Sequence, residues 1–207
     1  MRESKAFVGR QKFWDERYAK GDKKPIADPF LTENRHLLPS RGRALDVACG
    51  LGGNALFLAK VGLQVEGWDF SSKAIAQLQQ EAQQQEVVLS AEVRDVVEQP
   101  WPKKRYDLIT VSRFLDRSLT LSMVEALKPG GLLFYQTFVQ WKVGERGPKD
   151  LAYRLGKNEL LTLFVPALSL VFYREEWDVG VGASDRRDSA FLIGRVPSQS
   201  WSINHPA

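Results

Sequence analysis

Cysteine and histidine are scarce in this chain of 207 residues, which has one cysteine and two histidines. The single Cys49 excludes an internal disulfide, and a lone thiol is typical of a reducing compartment. His36 and His205 are far apart in the sequence, so with Cys49 they do not assemble a thiolate- or imidazole-rich metal site. Nothing indicates a site built from carboxylates alone, and we expect no bound metal.

Long apolar runs are also missing. No stretch approaches the roughly 20 apolar residues that cross a bilayer, and the opening "MRESKAFVGRQKFW" lacks the apolar core of a signal peptide. The hydrophobic content of 43% and the charged content of 26% are those of an ordinary globular protein. We therefore predict a single cytoplasmic domain without a membrane partner.

The net charge of +4 is concentrated at one end of the chain. Residues 1–43 contain 11 Lys and Arg against 6 Asp and Glu, whereas the remainder contains 18 against 19. A basic segment of this kind suits a nucleic acid, an anionic substrate or only solvent. We favour solvent, because acids are interspersed with the lysines and no aromatic-basic alternation follows.

Short apolar runs alternate with amphipathic stretches through the middle of the chain. The runs, which read as buried parallel strands, are residues 43–48, 63–69, 87–93, 106–112 and 131–138. The stretches between them have helical spacing and are residues 53–62, 71–84 and 119–131. Ser71 and Ser72 are natural helix starts, and Gly62 and Pro129-Gly130 are natural ends. This alternation predicts an α/β fold with a doubly wound, mostly parallel sheet.

After residue 138 the pattern changes. A glycine- and charge-rich loop, "VQWKVGERGPKDLAYRLG", is long enough to suggest function. A helix capped by Asn158 and ending near Pro166 follows. The last two strand-like runs, 168–177 and 188–196, have no helix between them, which predicts an antiparallel hairpin.

The stretch "ALDVACGLGGNALFLAK" places Gly50, Gly52 and Gly53 between the first strand and the next helix. In doubly wound sheets this turn lies against the ligand, where glycine permits close approach of the backbone. The spacing Gly50-x-Gly52-x-x-Ala55 also satisfies the loose dinucleotide pattern. By itself the turn fits either a nucleotide ligand or a tight structural bend.

An acid stands at the end of each of the first three predicted strands. Asp46 comes just before the glycine turn, Asp69 ends the second strand, where it suits a ribose, and Asp95 ends the third strand, where it suits an adenine amino group. Such an acidic rim repels a pyrophosphate but not a sulfonium, so the sign of the charge favours S-adenosylmethionine over NAD. Taken alone, Asp69 also suits a helix N-cap.

The segments "LDVACGLGGNALFLA", "VEGWDFS", "VRDVVEQPW", "YDLITVSRFL" and "ALKPGGLLFYQTF" resemble, in order, the motifs of class I S-adenosylmethionine-dependent methyltransferases. The opening "FWDERYAKGD", followed by "PF", resembles the tellurite-resistance-type and thiopurine-type small-molecule branch. The resemblance implies a Rossmann-like sheet of seven strands whose last strand is antiparallel. It also implies four parts: an N-terminal helical cap over the cofactor (1–40), a cofactor-binding core (41–138), a substrate loop, helix and hairpin (139–196), and a tail (197–207).

The resemblance also implies a set of cofactor contacts. Gly50 and Gly52 would approach the methionine half of S-adenosylmethionine, and Asp46 would serve its amino group. Asp69 would hold the ribose. The remaining members are those facing the adenine (Phe70, Asp95, Val96), an alanine where the family has its first glycine (Ala48), and three further residues (Arg17, Asn54, Ser112).

The methyl acceptor is less well defined. Candidate substrate contacts are two residues of the N-terminal segment, Trp14 and Arg17, and three later residues, Arg113, Tyr153 and Arg154. No catalytic residue is evident, and a soft nucleophile such as a thiol needs no strong base. "VSRFLD" stands where enzymes that methylate amino groups of adenine or glutamine have an Asn-Pro-Pro-Tyr type of segment, which argues against those substrates.

We predict a methyltransferase that acts on a small molecule by in-line transfer, as a monomer or homodimer and without a nucleic-acid partner. The alternatives are an NAD-linked oxidoreductase, a cofactor-binding module without catalysis, and an RNA methyltransferase.

Overall fold

The computed structural model describes residues 5–19, 24–141, 146–177, 179 and 186–198, with the backbone alone for residues 5–10. The chain divides into two compact units, Met1–Pro100 and Trp101–Ala207. The tail with His205, and part of the loop before the last strand, lie outside the described residues. No helix in the described part is long and apolar enough to cross a membrane.

The first unit contains three parallel strands in the order β3-β2-β1. Its elements are α1 (Lys5–Tyr18), α2 (Pro29–Glu33), a 3-10 turn (Arg35–Leu37), β1 (Arg43–Val47), α3 (Gly53–Lys60), β2 (Gln64–Asp69), α4 (Ser72–Gln84) and β3 (Ser90–Val93).

Ser71 caps α4 as predicted, because its Oγ accepts a hydrogen bond from the backbone N–H of Ala74 at 3.1 Å. The third strand is shorter than expected. Val87 closes the end of α4 through a bond from its N–H to the carbonyl of Ala82, and Val88 is 91% exposed.

The second unit contains β4 (Tyr106–Ser112), α5 (Thr120–Ala126), β5 (Leu127–Phe138), α6 (Glu159–Phe164), β6 (Ser169–Glu175) and β7 (Ser189–Arg195), with 3-10 turns at Arg117–Leu119 and Leu151–Tyr153. Strand β4 pairs with β5 in parallel, while β7 lies antiparallel to both β5 and β6. The predicted hairpin is therefore confirmed. All seven strands belong to one mostly parallel sheet with an antiparallel β5-β7-β6 end, so the predicted fold class is confirmed.

Two local predictions in the second unit were wrong. Pro129-Gly130 does not end α5: the helix stops at Ala126, and both residues lie at the start of β5, where the pairing with β4 shifts register. Asn158 precedes α6, but its side chain makes no capping bond. Its backbone is left-handed, with φ of 57°, and Glu159 instead accepts the N–H of Gly156 at 2.6 Å.

The strands have the burial expected of a covered parallel sheet. Four of the five residues of β1 are buried, as are five of the seven residues of β4. Successive side chains of a strand point to opposite faces, so continuous burial means that both faces are covered. This places the polar side chains that end the strands beside a closely packed core.

Candidate functional site

The turn between β1 and α3 has three residues in the left-handed region. Their φ angles are 51° at Ala48, 53° at Gly50 and 76° at Gly52. Gly52 closes the turn with a bond from its N–H to the carbonyl of Cys49 at 2.9 Å. At Ala48, where the resembling family has its first glycine, this conformation costs roughly 1–2 kcal/mol because the Cβ crowds the backbone.

Residues from three neighbouring segments pack closely against this glycine turn. A Cβ at Gly50 would lie 2.7 Å from the hydroxyl of Tyr18, and one at Gly53 would lie 2.2 Å from the carbonyl oxygen of Ile26. At Gly52 a Cβ would lie 2.2 Å from Cδ1 of Leu78. The packing of the protein itself therefore requires glycine here, apart from any ligand.

Asp69 lies at the carboxyl end of β2 and is buried. Its Oδ2 accepts the N–H of Gly50 at 2.7 Å, and its Oδ1 accepts the N–H of Ser71 at 2.8 Å. Burial raises the pKa of this carboxyl, although the backbone hydrogen bonds oppose the shift. Asp69 thus joins the glycine turn to the start of α4, and each carboxylate oxygen keeps further acceptor capacity.

Asp46, the penultimate residue of β1, is only 2% exposed. Burial raises its pKa to about 8, the N–H of Ala55 opposes the shift, and the charges of Asp69 and Asp28 add to it. Its Oδ2 accepts that N–H at 3.1 Å. At neutral pH this carboxyl is largely protonated, so the acidic rim carries less charge than the sequence suggests.

Asn54 fixes the segment before α2 against the start of α3. Its Oδ1 accepts the N–H of Asp28 at 2.8 Å, and the Asp28 carboxylate in turn caps α2 by accepting the N–H of Phe30 at 3.0 Å. Sequence reasoning missed Asp28. The charge of the buried Asp28 carboxylate contributes to the raised pKa of Asp46. In the sequence, Asp28 is recognisable only as the residue before Pro29, the first residue of α2.

The residues expected at the adenine follow β2 and β3 in the same unit. Asp95 is buried, and its Oδ1 accepts the N–H groups of Val97 and Glu98 at 3.0 and 3.3 Å. Val96 is buried and Phe70 is partly buried. The structure therefore holds the predicted acid in a fixed turn after β3, two residues beyond the strand end.

Helix α1 brings aromatic and charged side chains to this end of the first unit. Trp14 stacks on Tyr18 with ring centroids 6.2 Å apart, and the guanidinium of Arg17 lies 5.6 Å from the Trp14 ring centroid. Trp14 and Arg17 are both exposed. Tyr18, which sequence reasoning missed, reaches the glycine turn instead; its position one helical turn after Trp14 was the available signal.

In the second unit the predicted cofactor contact Ser112 and the predicted substrate contacts Arg113 and Tyr153 differ in exposure. Ser112 ends β4, and Arg113 follows it in the left-handed region, with φ of 59° and an exposed side chain. Tyr153 is 57% exposed in a 3-10 turn. These three residues are accessible or partly accessible at or after strand ends.

Arg154 is fully buried. Its guanidinium donates to the carbonyls of Val139 and Pro148, each at 2.7 Å, and to that of Arg146. Arg117 donates to the carbonyl of Arg154 itself at 2.9 Å. Arg154 therefore ties parts of this loop together through three backbone carbonyls.

Sequence reasoning also missed a buried polar group on β5. Gln136 pairs in register with Ser112, and its Nε2 donates to Oγ of Ser189 at 3.0 Å. Its Oε1 has no hydrogen-bond partner among the described residues, although it is buried. A buried acceptor left in this way is costly, so this end of β4 and β5 suits a ligand that donates a hydrogen bond.

Comparison with known proteins bears directly on this geometry. Residues 44–131, which span the glycine turn and the acids, match the model of a methyltransferase domain. This part of the chain is therefore similar to methyltransferase domains. The chain is 28% identical to a ubiquinone biosynthesis O-methyltransferase of Albidiferax ferrireducens, over 75% of this chain and 62% of the relative.

Other similarities extend beyond this domain. The chain is 28% identical to YqeM of Bacillus subtilis, over 54% of the chain and 48% of the relative. It thus spans about half to three-fifths of the curated relatives it matches. The structure of TehB from Haemophilus influenzae is similar in fold, with a TM-score of 0.67 and 20% identity, covering 88% of this chain and 67% of TehB.

The residues present fit S-adenosylmethionine, the cofactor that the resemblance of the sequence motifs implies. Buried Asp46 and Asp69 have raised pKa values, and the nearby charges acting on Asp46 are those of other carboxylates. A ligand with an ammonium and a sulfonium would stabilise the ionised forms of both groups, whereas a diphosphate would destabilise them. The electrostatics of Asp46 and Asp69 therefore agree with this cofactor.

Proposed function

We propose that this protein transfers a methyl group from S-adenosylmethionine to a small molecule. The observation that carries the proposal is the pair of buried carboxyls, Asp46 and Asp69, beside a left-handed glycine turn. Their raised pKa values describe a site that gains stability from a cationic ligand.

Each cofactor contact has a proposed role in this site. Asp69 accepts the ribose hydroxyls with the acceptor capacity that its two backbone bonds leave. Asp46 accepts the ammonium of the methionine half, either directly or through water. Asp95 and Val96 meet the adenine edge and Phe70 its face, supported by their burial after β3 and β2.

S-adenosylmethionine supplies the reactive methyl group when bound. The protein then has to orient the acceptor, the methyl group and the sulfur in line and to exclude water, which contributes roughly 7–11 kcal/mol in well-oriented reactions. We assign no catalytic base, because a thiol or a similarly soft acceptor reacts without one.

For the methyl acceptor we propose Arg113 and Tyr153 as contacts, with Trp14 and Arg17 as further candidates. Gln136 adds a new element, because its buried Oε1 suits an acceptor molecule with a hydroxyl, amine or thiol donor. Curated relatives suggest small-molecule O-methylation as one class to examine, since one of them is a ubiquinone biosynthesis O-methyltransferase.

We further propose that the protein works in the cytoplasm as a monomer or homodimer. Support comes from the single Cys49, which suits a reducing compartment.

Titration calorimetry with S-adenosylmethionine, S-adenosylhomocysteine and NAD tests the cofactor. We expect the two adenosyl-sulfur compounds to bind at micromolar levels and to raise the unfolding temperature, while NAD does neither. The opposite order would support the NAD-linked oxidoreductase and contradict our reading of the acidic site.

Release of S-adenosylhomocysteine across a panel of thiols, chalcogen oxyanions, phenols and small acids tests the reaction. We expect turnover with at least one of them. Cofactor binding without turnover on any acceptor would favour a binding module. Turnover on RNA, with a steep salt dependence of RNA binding, would favour the nucleic-acid alternative.

A further inference from the structure

We propose that Asp15 is a positioning residue that fixes α1 to the start of α4 and so places the Tyr18 hydroxyl against the amino-acid end of the cofactor. This inference rests on the proposed function. It concerns two residues of α1, Asp15 and Tyr18, to which the sequence analysis assigned no role.

The first step is the attachment of α1. Oδ1 of Asp15 accepts the hydroxyl of Ser71 at 2.5 Å and the N–H of Lys73 at 3.2 Å, and its Oδ2 accepts the hydroxyl of Ser72 at 3.1 Å. Partial burial would raise the pKa of Asp15. The hydrogen bonds from Ser71, Lys73 and Ser72 together outweigh burial, so that the pKa is lowered. The ionised carboxylate is therefore the bound form, at the positive end of the α4 dipole.

The second step connects this attachment to the glycine turn. Ser71 donates its hydroxyl to Asp15 and its backbone N–H to Oδ1 of Asp69, whose Oδ2 accepts the N–H of Gly50. Three consecutive hydrogen bonds thus run from α1 through the start of α4 to the turn. A displacement of Asp15 removes the first of them and leaves the other two in place.

The third step is the position of Tyr18, three residues after Asp15 on the same helix. Its hydroxyl lies so close to Gly50 that a Cβ there would be 2.7 Å away. Burial raises the pKa of Tyr18, and the charges of Asp69, Cys49 and Asp46 add to the shift. The charge of Arg17 opposes the shift. The hydroxyl is therefore neutral and can donate a hydrogen bond to a ligand.

The chemistry of that position identifies its ligand. A ligand over Gly50 meets the Tyr18 hydroxyl, which can donate to a carboxylate. Asp46, whose charge acts on Tyr18, suits an ammonium. An ammonium and a carboxylate on one carbon are the amino-acid end of the cofactor. The adenosine part has its own proposed partners, Asp69, whose Oδ2 accepts the N–H of Gly50, and Asp95 after β3.

Two ligands test the amino-acid end and the adenosine part of the cofactor independently. S-Adenosylhomocysteine contains the amino-acid end, whereas 5′-methylthioadenosine contains the adenosine and the sulfur but lacks it. We expect Tyr18→Phe to weaken S-adenosylhomocysteine about tenfold, which corresponds to one lost hydrogen bond to a charged group. The affinity for 5′-methylthioadenosine should stay within about twofold.

Asp15→Ala should give the same pattern, because it acts through Tyr18. Its matched control is Glu16→Ala, on the exposed side of the same helix, which should change neither affinity. The double variant Asp15→Ala/Tyr18→Phe should be no weaker than Tyr18→Phe alone, since coupled residues are not additive.

The results separate this inference from the proposed function. Three results would each overturn the inference, provided that the wild-type protein binds both ligands. These are an equal loss of affinity for both ligands, additive losses of affinity in the double variant, and an unchanged affinity in Tyr18→Phe. If the wild-type protein binds neither ligand, the proposed function fails and the inference fails with it. Unfolding temperatures of all variants, taken without ligand, show whether Asp15→Ala merely loosens the fold.

Discussion

The raised pKa of Asp46 makes cofactor affinity depend on pH. With a pKa of about 8, the protonated form outnumbers the ionised form by about ten to one at pH 7 and about a hundred to one at pH 6. If the cofactor ammonium binds the ionised form, affinity should rise about tenfold between pH 6 and 7, or about 1.4 kcal/mol. The affinity is compared only up to pH 7, because an α-amino group such as the ligand's loses its own proton near pH 7.7–8.0.

Calorimetry with S-adenosylhomocysteine at pH 6 and 7 measures this dependence in the wild-type protein and in Asp46→Asn. In Asp46→Asn the affinity should lose the tenfold rise between pH 6 and 7 that the Asp46 carboxyl causes. Any pH dependence of the affinity that remains reports on Asp69, whose pKa is also raised by burial. Methylthioadenosine, which lacks the ammonium, is the matched ligand and should bind with little pH dependence. A wild-type affinity that is equal at both pH values, or an unchanged slope in Asp46→Asn, would refute the reasoning.

The same group affects folding without ligand, with a sign that follows from proton binding. Between the unfolded pKa of 3.8 and the folded pKa of about 8, the native state binds more protons than the unfolded state. The free energy of unfolding should therefore fall as the pH rises through this window. Urea unfolding at pH 5.5 and 8 should show a smaller fall in Asp46→Asn than in the wild-type protein.

The remaining predictions concern single positions. Asp69→Ala should weaken S-adenosylhomocysteine and 5′-methylthioadenosine alike by roughly tenfold or more, because the ribose bonds are charge-assisted; calorimetry showing unchanged affinities would overturn the ribose assignment. Gly53→Ala, whose Cβ would meet the backbone of Ile26 at 2.2 Å, should lower both ligand affinity and stability. Gly62→Ala, with φ of 99° and no heavy atom within 4 Å of the added Cβ, should lower stability alone, by about 1–2 kcal/mol in urea unfolding; a loss of affinity there would contradict this. Arg154→Met should destabilise the protein by about 3 kcal/mol or more, because three backbone carbonyls lose a buried charged donor, whereas an Ala substitution at the neighbouring, exposed Tyr153 should stay within about 0.5 kcal/mol.

Much of the fold follows from local patterns. Strand β4 begins and ends at the predicted residues, and the starts of α3 and α4 are within one residue of prediction. These elements combine an apolar run or stripe with a local signal at each end, such as the Ser71 cap. The prediction was wrong at Pro129, where a proline at the start of a strand looks like a helix end in the sequence.

The site residues were predictable where their role depends on their position at the end of a strand. They were not predictable where their role depends on contacts between segments that are distant in the sequence. Asp46, Asp69 and Asp95 were found because each stands at or near the end of a strand in a parallel sheet. Asp15 and Tyr18 were missed because their partners, Ser71 and Gly50, are 56 and 32 residues away in the sequence. No periodicity reports such a pairing.

The sequence alone determined the order of the αβ units, the glycine turn and the acids at the strand ends, because backbone sterics and hydrophobic periodicity act over a few residues. The tertiary structure decided which groups are ionised and which side chains have free donors and acceptors. Asp46 became a largely protonated carboxyl, and Arg154, a plausible substrate contact in the sequence, became a buried clamp on backbone carbonyls. Both outcomes arise from removal of water by distant segments, because desolvation and hydrogen-bond competition depend on three-dimensional packing and not on a residue's neighbours in the chain.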